Sequence, residues 1–375
     1  MARRDFPAKQ KLRRSLGGLG TFFPIRKSQV SYIVEPKSWS IKADGVNIVR
    51  EVKSLTPDLS IGLTNKPYLT RAEITHFGSQ FMFQNWLEDA NHDSNIVVTY
   101  FHGEKGQDPA IDSNLDYLIQ NQQKVAKVIV SFTGMKERLE RYGLEPNLIV
   151  KIPVGVSTDL FLPSSSKIQT RSIRDSLGIP DEFHVIGSFQ KDGEGWRDGM
   201  LPKSIKGPDI FVDAIREISK SVPTFVVLSG PARGYVRNKL EEFGIPYKHV
   251  LPRNEQKMLD LYRALDLYLI SSREEGGPKG LIEALSTGCP VVTTPVGMAN
   301  DLNLHSDFYS VSKTFDPLTL AEYALNILKL ERNVKDVNQL RTSVLHCNWR
   351  KIAEHHLLQV YIPLLNLPQD CVPKG

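Results

Sequence analysis

The sequence predicts an α/β protein with two domains, each of them a parallel β-sheet covered by helices on both faces. Short apolar runs alternate with longer amphipathic stretches over most of the chain, which is the pattern of repeated β-α units. A polar stretch, 157–172, which is rich in serine and contains Pro163, interrupts the alternation before it starts again. At roughly 100–200 residues for each domain, a chain of 375 residues accommodates two.

Ten of the apolar runs are predicted to be buried strands. In the first half they cover 30–35, 59–64, 72–78, 95–103 and 127–132. In the second half they cover 183–189, 224–230, 249–252, 265–272 and 289–295. A helix is predicted over 134–144, where it ends near a glycine, and a last amphipathic helix over 348–365 has no strand after it.

The interruption also sets the predicted domain boundaries. We expect a basic tail over 1–27, a first domain over 28–162, a second domain over 173–347 and a closing segment over 348–375. Parallel sheets bind ligands at the carboxyl ends of their strands, so two such domains facing each other predict a ligand cleft between them.

Positive charge is concentrated at the start of the chain. The net charge is +5, but residues 1–30 alone sum to +7 and the rest of the chain is near neutral. This segment has no apolar run of the length that a secretory signal needs. A solvated tail and a weak contact with anionic membrane both fit it. Nucleic acid is not expected as a partner, because no basic and aromatic stripe continues into the domain.

The composition excludes several kinds of site. The three cysteines, Cys289, Cys347 and Cys371, are too widely spaced for a disulfide framework or a zinc site. No segment approaches the ~20 apolar residues of a membrane span. No Asp-x-Asp pair and no histidine-carboxylate cluster with metal-ligand spacing occurs. We therefore expect a soluble, cytoplasmic, metal-independent protein, with peripheral contact at the inner membrane face left open.

The stretch "REEGGPKGLIEALSTGCPVV" (273–292) predicts a strand end, a glycine turn and a short helix. Pro278 suits the first helical position, and Gly288 suits the position just past the end. Gly276 and Gly277 would let a ligand approach the backbone closely. An exposed helix N-terminus that follows glycines is an anion-binding site, although a plain strand-to-helix turn has the same local residues.

Charged side chains flank this predicted helix start. Lys279 in the first turn opposes the helix dipole unless an anion is bound there, and the amides from Lys279 to Leu281 are expected to be free. Glu275 and Glu283 lie on either side of this turn and are separated by seven residues. Glu283 stands among apolar residues, where an ionised carboxylate must be paired or hydrogen-bonded. Two ribose hydroxyls would satisfy it, and so would an arginine or backbone amides of the chain itself.

The segment "EEGGPKGLIEALSTGCPVVTTPVGMANDL" (274–302) resembles the signature of the retaining family 4 glycosyltransferases, which have the GT-B fold. Their pattern is Glu, seven residues and Glu, with Gly-Pro inside it and G-x-PVV after it. "IPVGVSTDLF" (152–161), "LYRALDLYLISSREEGGP" (261–278) and "CNWRKIAEHHLLQVY" (347–361) extend the resemblance over about 150–375. The N-terminal half matches only in its β-α pattern.

The resemblance implies two Rossmann-like domains that face each other across a cleft, with a C-terminal helix crossing back to the first domain. It assigns the nucleotide ribose to Glu283 and the transferred sugar to Glu275. It also implies that the turn between them contacts sugar hydroxyls and phosphates, through Gly276, Gly277, Pro278, Lys279, Gly280 and Leu281.

A diphosphate site is implied by a second match. Lys206-Gly207 corresponds to the Lys-Gly pair that the family places on the diphosphate, which makes Lys206 a predicted catalytic residue. The family's arginine after the first strand of the second domain is absent, because Ser188-Phe189-Gln190 stands there. Lys191 is the predicted replacement, as a point charge without the arginine fork. A polar insertion, 192–205, separates the two segments.

Two histidines follow predicted strands of the first domain. The family often has a histidine at the position of His102, near the reacting sugar, and His76 occupies a similar position on a neighbouring strand. A structural histidine is the alternative for both. His355 and His356 are expected on the surface of the last helix.

An acceptor site is predicted in "SWSIKADG" (38–45), which follows the first strand where the family has a glycine-rich loop. Only Gly45 is present, so we expect a bulkier loop whose acceptor residues are Trp39, Lys42 and Asp44, together with His76.

The sequence thus predicts a retaining glycosyltransferase of the hexosyltransferase type. The second domain binds a nucleotide-sugar donor, and the first binds a glycan, glycolipid or other acceptor, as in polysaccharide biosynthesis. The predicted catalytic residues are Glu275, His102 and Lys206, with no metal or other cofactor. A nucleotide-sugar epimerase of the same fold and a non-catalytic nucleotide-sugar-binding protein are the alternatives.

Overall fold

The computed structural model describes residues 26–36, 40–90, 93–195 and 197–369. These residues form two compact units. The first contains the described residues up to Val130, Lys136–Ile152 and the described segment that begins at Arg350. The second contains Ser131–Met135 and Pro153–Trp349. The predicted basic tail lies, as far as residue 25, outside the described residues.

The first unit is built on a six-stranded parallel sheet with the order β2-β1-β3-β4-β5-β6. Its strands are β1 (Arg26–Ile33), β2 (Ile61–Thr64), β3 (Thr70–Phe77), β4 (Asn95–Thr99), β5 (Val125–Val130) and β6 (Ile149–Lys151). The register pairs Val30 with both Ile61 and Ile74, and the latter two side chains are at most 4% exposed. The five predicted strands are present, and β6 was not predicted.

Four helices accompany this sheet: α1 (Ser40–Leu55), α2 (Gln80–Trp86), α3 (Pro109–Gln120) and α4 (Thr133–Arg141). The start of α3 follows from its sequence, because the Asp108 side chain accepts from the Ala110 amide and Pro109 occupies the first turn. The predicted helix over 134–144 corresponds to α4, and Gly143 follows it with a φ of +96°.

The predicted acceptor loop over 38–45 is wrong from Ser40 onward, because α1 begins there. Gly45 lies inside this helix, where a Cβ would come within 2.6 Å of Val34 Cγ1 and 2.9 Å of Tyr32 Cε1. The glycine therefore lets the helix pack against the residues of β1 and just after it.

The second unit contains another six-stranded parallel sheet, with the order β12-β11-β10-β7-β8-β9. Its strands are β7 (His184–Phe189), β8 (Thr224–Ser229), β9 (Tyr247–Val250), β10 (Leu267–Ile270), β11 (Val291–Thr293) and β12 (Tyr309–Val311). Strand β7 pairs with both β8 and β10, so the strand order reverses there. Ligands of open α/β sheets bind outside the carboxyl ends of strands at such a switch point.

Seven helices belong to the described part of this unit: α5 (Lys167–Leu177), α6 (Pro208–Ser219), α7 (Gly234–Glu242), α8 (Glu255–Arg263), α9 (Lys279–Ser286), α10 (Pro317–Leu328) and α11 (Val334–Thr342). The predicted linker over 157–172 is wrong from Lys167 onward, where α5 begins. The cause is the Ser166 side chain, which accepts from the Gln169 amide and caps the helix.

The closing segment is helical, as predicted. It consists of α12 (Trp349–His356), a π-helical turn (Leu357–Tyr361) and α13 (Ile362–Leu364). Pro363 has no amide to donate to the preceding turn, which interrupts the regular hydrogen-bond ladder. The two parallel sheets confirm the predicted α/β class. None of the helices in the described ranges combines the length and the apolar character of a membrane span.

Candidate active site

Lys206 and Glu275 lie together in the second unit, beyond the carboxyl ends of β7 and β10. Lys206 Nζ is 2.6 Å from Glu275 Oε1, and the two side chains are 21% and 14% exposed. The hydroxyl of Ser272 lies 2.8 Å from the same carboxylate oxygen. Two residues that are far apart in the sequence, and were predicted separately, therefore form one polar site.

Backbone hydrogen bonds bring the two segments together. The amides of Arg273 and Glu274 both donate to the carbonyl of Ile205, at 2.8 and 3.1 Å. The guanidinium of Arg273 also binds both carboxylate oxygens of Asp209, at 2.8 and 2.5 Å, and holds the pKa of that carboxyl below its ordinary value. The turn that carries Lys206 is thus fixed against the turn that carries Glu275.

Gly207 is required for this contact. It has a φ of +56°, and a Cβ would lie 1.9 Å from the carbonyl oxygen of Ser271. No side chain fits between the two backbones, so the glycine of the Lys-Gly pair allows Lys206 to reach the end of β10.

Gln190 occupies the place where the family's arginine was expected. Its Nε2 donates to the carbonyl of Lys206 at 3.1 Å, and its Oε1 lies 3.2 Å from the hydroxyl of Ser272. Gln190 therefore supports the Lys206 turn without adding charge. Lys191, the predicted replacement, follows it in the chain and is half-buried.

An arginine that the sequence reasoning missed lies beneath these residues. The Arg233 side chain is fully buried, and its Nε is 3.0 Å from Oδ1 of Asp192, which is 1% exposed. Its Nη1 lies 2.7–3.1 Å from the carbonyl oxygens of Ser188, Ser229 and Gln190. Burial lowers the pKa of Arg233 and raises that of Asp192, and each charge opposes the shift of the other. Nothing in the residues around "GPARGY" predicted this pairing.

The insertion over 192–205 begins as a hairpin. Gly193 and Pro202 form an antiparallel bridge, and the Glu194 amide donates to the Leu201 carbonyl at 2.8 Å. The carbonyls of Asp198 and Gly199 accept from the amides of Gly234 and Tyr235, at 2.5 and 3.0 Å. The hairpin therefore satisfies amides at the N-terminus of α7, next to Arg233.

Glu283 lies in the second turn of α9 and is half-buried. The hydroxyl of Tyr262 donates to its Oε2 at 2.7 Å. Burial raises the pKa of the carboxyl, while the hydrogen bond from Tyr262 and the charge of Lys279 lower it. The protein partner of this carboxylate is therefore a neutral hydroxyl, neither the arginine nor the backbone amides considered above.

Tyr262 is held in place by other aromatic rings. Its ring centroid lies 4.8 Å from that of Phe189 and 5.3 Å from that of Tyr268. A Cβ on Gly280 would come within 2.3 Å of the Tyr268 hydroxyl, so this glycine lets α9 begin directly over the cluster. The sequence showed these residues as a strand and a helix without indicating that they support the site.

The start of α9 differs in detail from the prediction. Pro278 is the N-cap residue, and the helix begins one position later, at Lys279. The Leu281 amide donates to the Pro278 carbonyl at 2.9 Å, so the expectation that this amide is free was wrong. Gly288 follows the helix with a φ of +69°, as expected. Lys279 Nζ lies 5.2 Å from the ring centroid of Trp349, within cation–π distance.

The two glycines before α9 are closely packed. A Cβ on Gly277 would lie 2.8 Å from Val154 Cγ1, and the hydroxyl of Ser131 donates to the Gly276 carbonyl. The side chain of Val154, in the same unit, therefore occupies the space that Gly277 leaves. Contact of this turn with a ligand stays a prediction.

His102 lies in the first unit, three residues beyond the end of β4, and is half-buried. Its carbonyl accepts from Gln80 Nε2 at 3.1 Å. The next carbonyl, that of Gly103, accepts from Arg138 Nη1 at 2.9 Å. Hydrogen bonds at two successive carbonyls thus hold the backbone at His102, and the predicted catalytic role remains a prediction.

His76 lies in the core of the first unit and has no exposed surface. Its Nδ1 is 2.7 Å from the Tyr361 hydroxyl, and its Nε2 is 2.9 Å from Thr99 Oγ1. Burial, followed by the charge of His356, lowers its pKa well below the ordinary value. These contacts favour the structural alternative over an acceptor contact. His356 is 3% exposed, so its predicted surface position was wrong.

The predicted acceptor residues of 38–45 lie apart in the structure. Trp39 lies outside the described residues. Lys42 is partly exposed in the first turn of α1, whereas Asp44 is 8% exposed. The charge of Asp44 contributes, after burial, to raising the pKa of Tyr32. A role for these residues in acceptor binding stays a prediction.

Residues 199–330 match the family model described as "Glycosyl transferases group 1". This segment contains Lys206, Glu275 and Glu283. This part of the second unit, about a third of the chain, is similar to the group 1 glycosyltransferases. The predicted family is thereby confirmed, on the residues that form the polar site.

Curated relatives match a limited part of this chain. A D-inositol 3-phosphate glycosyltransferase of Corynebacterium aurimucosum is 30% identical over 185 residues, which cover 46% of this chain and 41% of the relative. The lipopolysaccharide core biosynthesis mannosyltransferase LpsB of Rhizobium meliloti is 26% identical over 156 residues, which cover 40% of this chain and 41% of the relative. The matched part spans less than half the length of these relatives.

Solved structures resemble nearly the whole chain. HepE of Anabaena, in complex with UDP and glucose, has a TM-score of 0.68 at 15% identity and covers 91% of this chain and 100% of its own. A glycosyltransferase of Rickettsia africae has a TM-score of 0.67 at 16% identity, with coverage of 92% and 99%. At such low identity the likeness concerns the fold, and it confirms the predicted GT-B architecture.

Proposed function

We propose that this group 1 glycosyltransferase is a retaining enzyme of the hexosyltransferase type, which moves a sugar from a nucleotide-sugar donor to a glycan, glycolipid or other acceptor. One observation carries the proposal. Lys206 Nζ lies 2.6 Å from Glu275 Oε1 at the switch point of the second sheet. Glu283 follows in α9, the helix that begins just after Glu275.

Each group suits a part of such a donor. The Lys206 ammonium suits a phosphate oxygen, and the two carboxylates suit hydroxyl donors of the sugar and of the ribose. HepE is described in complexes with UDP, with UDP and glucose, and with UDP-glucose, which supports a nucleotide sugar as the ligand class.

A bound donor would change the partner of Lys206. The diphosphate competes with Glu275 for the ammonium group, which leaves the carboxylate to accept hydrogen bonds from sugar hydroxyls. In the transfer step the bond between the anomeric carbon and the phosphate oxygen breaks, and a bond to the acceptor oxygen forms on the same face. The leaving phosphate takes the acceptor proton, and Lys206 and Lys191 stabilise its charge without a metal.

We assign the acceptor to the first unit, where His102 is the proposed catalytic residue and Trp39, Lys42 and Asp44 are the predicted contacts. The buried His76 is no longer among them. Relatives whose names specify D-inositol 3-phosphate and the lipopolysaccharide core support a polar, hydroxyl-bearing acceptor. A cytoplasmic location with membrane contact through residues 1–27 rests on the charge of that segment. Removal of 1–27 is expected to reduce binding to anionic liposomes.

A non-catalytic nucleotide-sugar-binding protein is the second candidate, because the neutral Gln190 stands where the family has an arginine. A nucleotide-sugar epimerase is the third. The three differ in what happens to the bound donor: transfer releases the sugar, binding leaves it unchanged, and epimerisation converts it without release of the nucleoside diphosphate.

The experiment is a screen of UDP-, GDP- and ADP-sugars for release of nucleoside diphosphate, with and without EDTA, on the full chain and on Glu275→Gln. We expect one donor class to be consumed by the parent and not by the variant, with unchanged rates in EDTA. The anomeric configuration of the product, measured by NMR, then tests retention. A parent that neither binds nor consumes any of these donors would overturn the proposal.

A further inference from the structure

Lys203 lies at the end of the hairpin that begins the 192–205 insertion. Its amide donates to the carbonyl of Asp192 at 2.7 Å, and the preceding residue, Pro202, pairs with Gly193. The hairpin thus returns the chain to the point where it left the sheet. Lys203 consequently lies across from Asp192, which follows Lys191, although eleven residues separate the two lysines in the sequence.

Lys203 is also next to Lys206. Ser204–Lys206 form a single 3-10 turn, and the Lys206 amide donates to the Lys203 carbonyl at 2.9 Å. Residues three positions apart in such a turn lie one above the other. The hairpin and the turn therefore gather three lysines, 191, 203 and 206, at the carboxyl end of β7.

The charges of these lysines act on one another. Lys203 is half-buried, and its pKa is lowered first by burial and then by the charge of Lys206, with a further contribution from Lys191. Glu194 and Glu275 act in the opposite direction. Like charges held together in a partly desolvated site destabilise the charged form of each group, and a bound anion removes this effect.

The described carboxylates near Lys203 have other partners or are exposed. Asp192 is adjacent, but its charge is matched by Arg233 at 3.0 Å. Glu275 is paired with Lys206, and Glu194 is exposed.

We propose that Lys203 is a third cation of the diphosphate site, supplied by the insertion, and that the Asp192–Arg233 pair positions it. The proposal rests on the function inferred above and adds a residue to its donor site. Two linked phosphate groups carry enough charge, spread over enough oxygens, to engage three ammonium groups on flexible stems. In this chain the charge that Gln190 does not supply comes from the hairpin.

The test is calorimetric titration of the full chain with inorganic pyrophosphate and with UDP, GDP and ADP, in Lys203→Met, Lys203→Arg and Lys220→Met. Lys220 is a matched control, because it is an exposed lysine at the far end of the helix that begins just after Lys206. We expect Lys203→Met to weaken the binding of pyrophosphate and of the preferred nucleoside diphosphate about ten- to a hundredfold. Lys203→Arg should stay within a few-fold of the parent, and Lys220→Met should be unchanged.

A thermal melt separates a ligand contact from a structural role. Without ligand, Lys203→Met should melt at or above the temperature of the parent, because a like-charge contact is removed, whereas the rise caused by pyrophosphate should shrink. Unchanged pyrophosphate affinity in Lys203→Met, or an equal loss in Lys220→Met, would overturn the proposal. Failure of the proposed function is distinguishable: the parent would then bind pyrophosphate in a Lys203-dependent way and bind none of the nucleoside diphosphates.

Discussion

The hydroxyl of Tyr262 donates a hydrogen bond of 2.7 Å to Oε2 of Glu283. Burial favours the protonated form of this carboxyl, and the bond from Tyr262 opposes that effect. Tyr262 therefore helps to keep an acceptor with negative charge in the second turn of α9, where the proposed ribose contact requires one.

Tyr262→Phe is expected to weaken the binding of the nucleoside diphosphate that the parent prefers (UDP, GDP or ADP) by about tenfold. The reason is that the substitution removes the hydrogen bond from the tyrosine hydroxyl to the charged Glu283. Calorimetric titration at pH 7 measures this. Tyr247→Phe is the matched control, since Tyr247 also donates to a carboxylate, Glu241, at 2.5 Å but in a more exposed place. Equal affinities in Tyr262→Phe and the parent would contradict a role of Tyr262 in the site.

The affinity for the same nucleotide should also depend on pH through Glu283. Its pKa is raised above the ordinary 4.5, so the carboxylate is lost on acidification at a higher pH than for an exposed glutamate. Affinity should therefore be full above the raised pKa and fall as the pH drops through it. Titrations between pH 5 and 8 in the parent and in Glu283→Gln test this. The variant should bind the nucleotide weakly at every pH in this range, and its affinity should not fall on acidification as that of the parent does. A step of equal size in Glu283→Gln would assign it to the phosphates instead.

Glu275→Gln should separate binding from transfer. The variant removes the charge that now pairs with Lys206, so affinity for the nucleoside diphosphate should be kept or rise about two- to fivefold. Transfer should fall about a hundredfold or more, because the sugar loses its carboxylate contact. Titration and product assays on the same preparation measure both. Loss of nucleoside diphosphate affinity would show that Glu275 acts through the fold of the site.

Gly207→Ala tests the backbone geometry that presents Lys206. The left-handed conformation costs an alanine roughly 1–2 kcal/mol, and its Cβ would also meet the Ser271 carbonyl at 1.9 Å. Gly178→Ala is the matched control, because Gly178 has a φ of +73° with open space around it. In urea unfolding, Gly207→Ala should lose more free energy of unfolding than Gly178→Ala, and it alone should lose affinity for pyrophosphate. Equal losses in the two variants would refute the close contact.

Most of the fold could be predicted from the sequence, because parallel strands buried on both faces appear as continuous apolar runs. The two strands that were missed, β6 and β12, are edge strands with three residues each. Helix α1 was taken for a loop because the family has a glycine-rich loop at this position, to which Gly45 was assigned. Its missing side chain instead makes room for Val34 and Tyr32.

The site was predictable only where its residues share a motif. Glu275, Glu283 and Lys206 stand in short patterns that resemble the family's donor-site motifs, and this resemblance implies phosphate and hydroxyl binding. Tyr262 and Arg233 act through partners that are distant in the sequence, and a tyrosine in a helix or an arginine after a strand has many ordinary roles. Their function follows from which strands are neighbours in the sheet, and local sequence does not specify that.

The buried pair of Asp192 and Arg233 also limits how this protein can diverge. Replacing either residue alone leaves a buried charge without its partner, at a cost of about 3–5 kcal/mol. Substitutions at the two positions are therefore expected to occur together in descendants, and the hairpin to be kept or lost as a block. An arginine four residues after the end of β8 should then identify, among otherwise divergent sequences, those that inherited the hairpin.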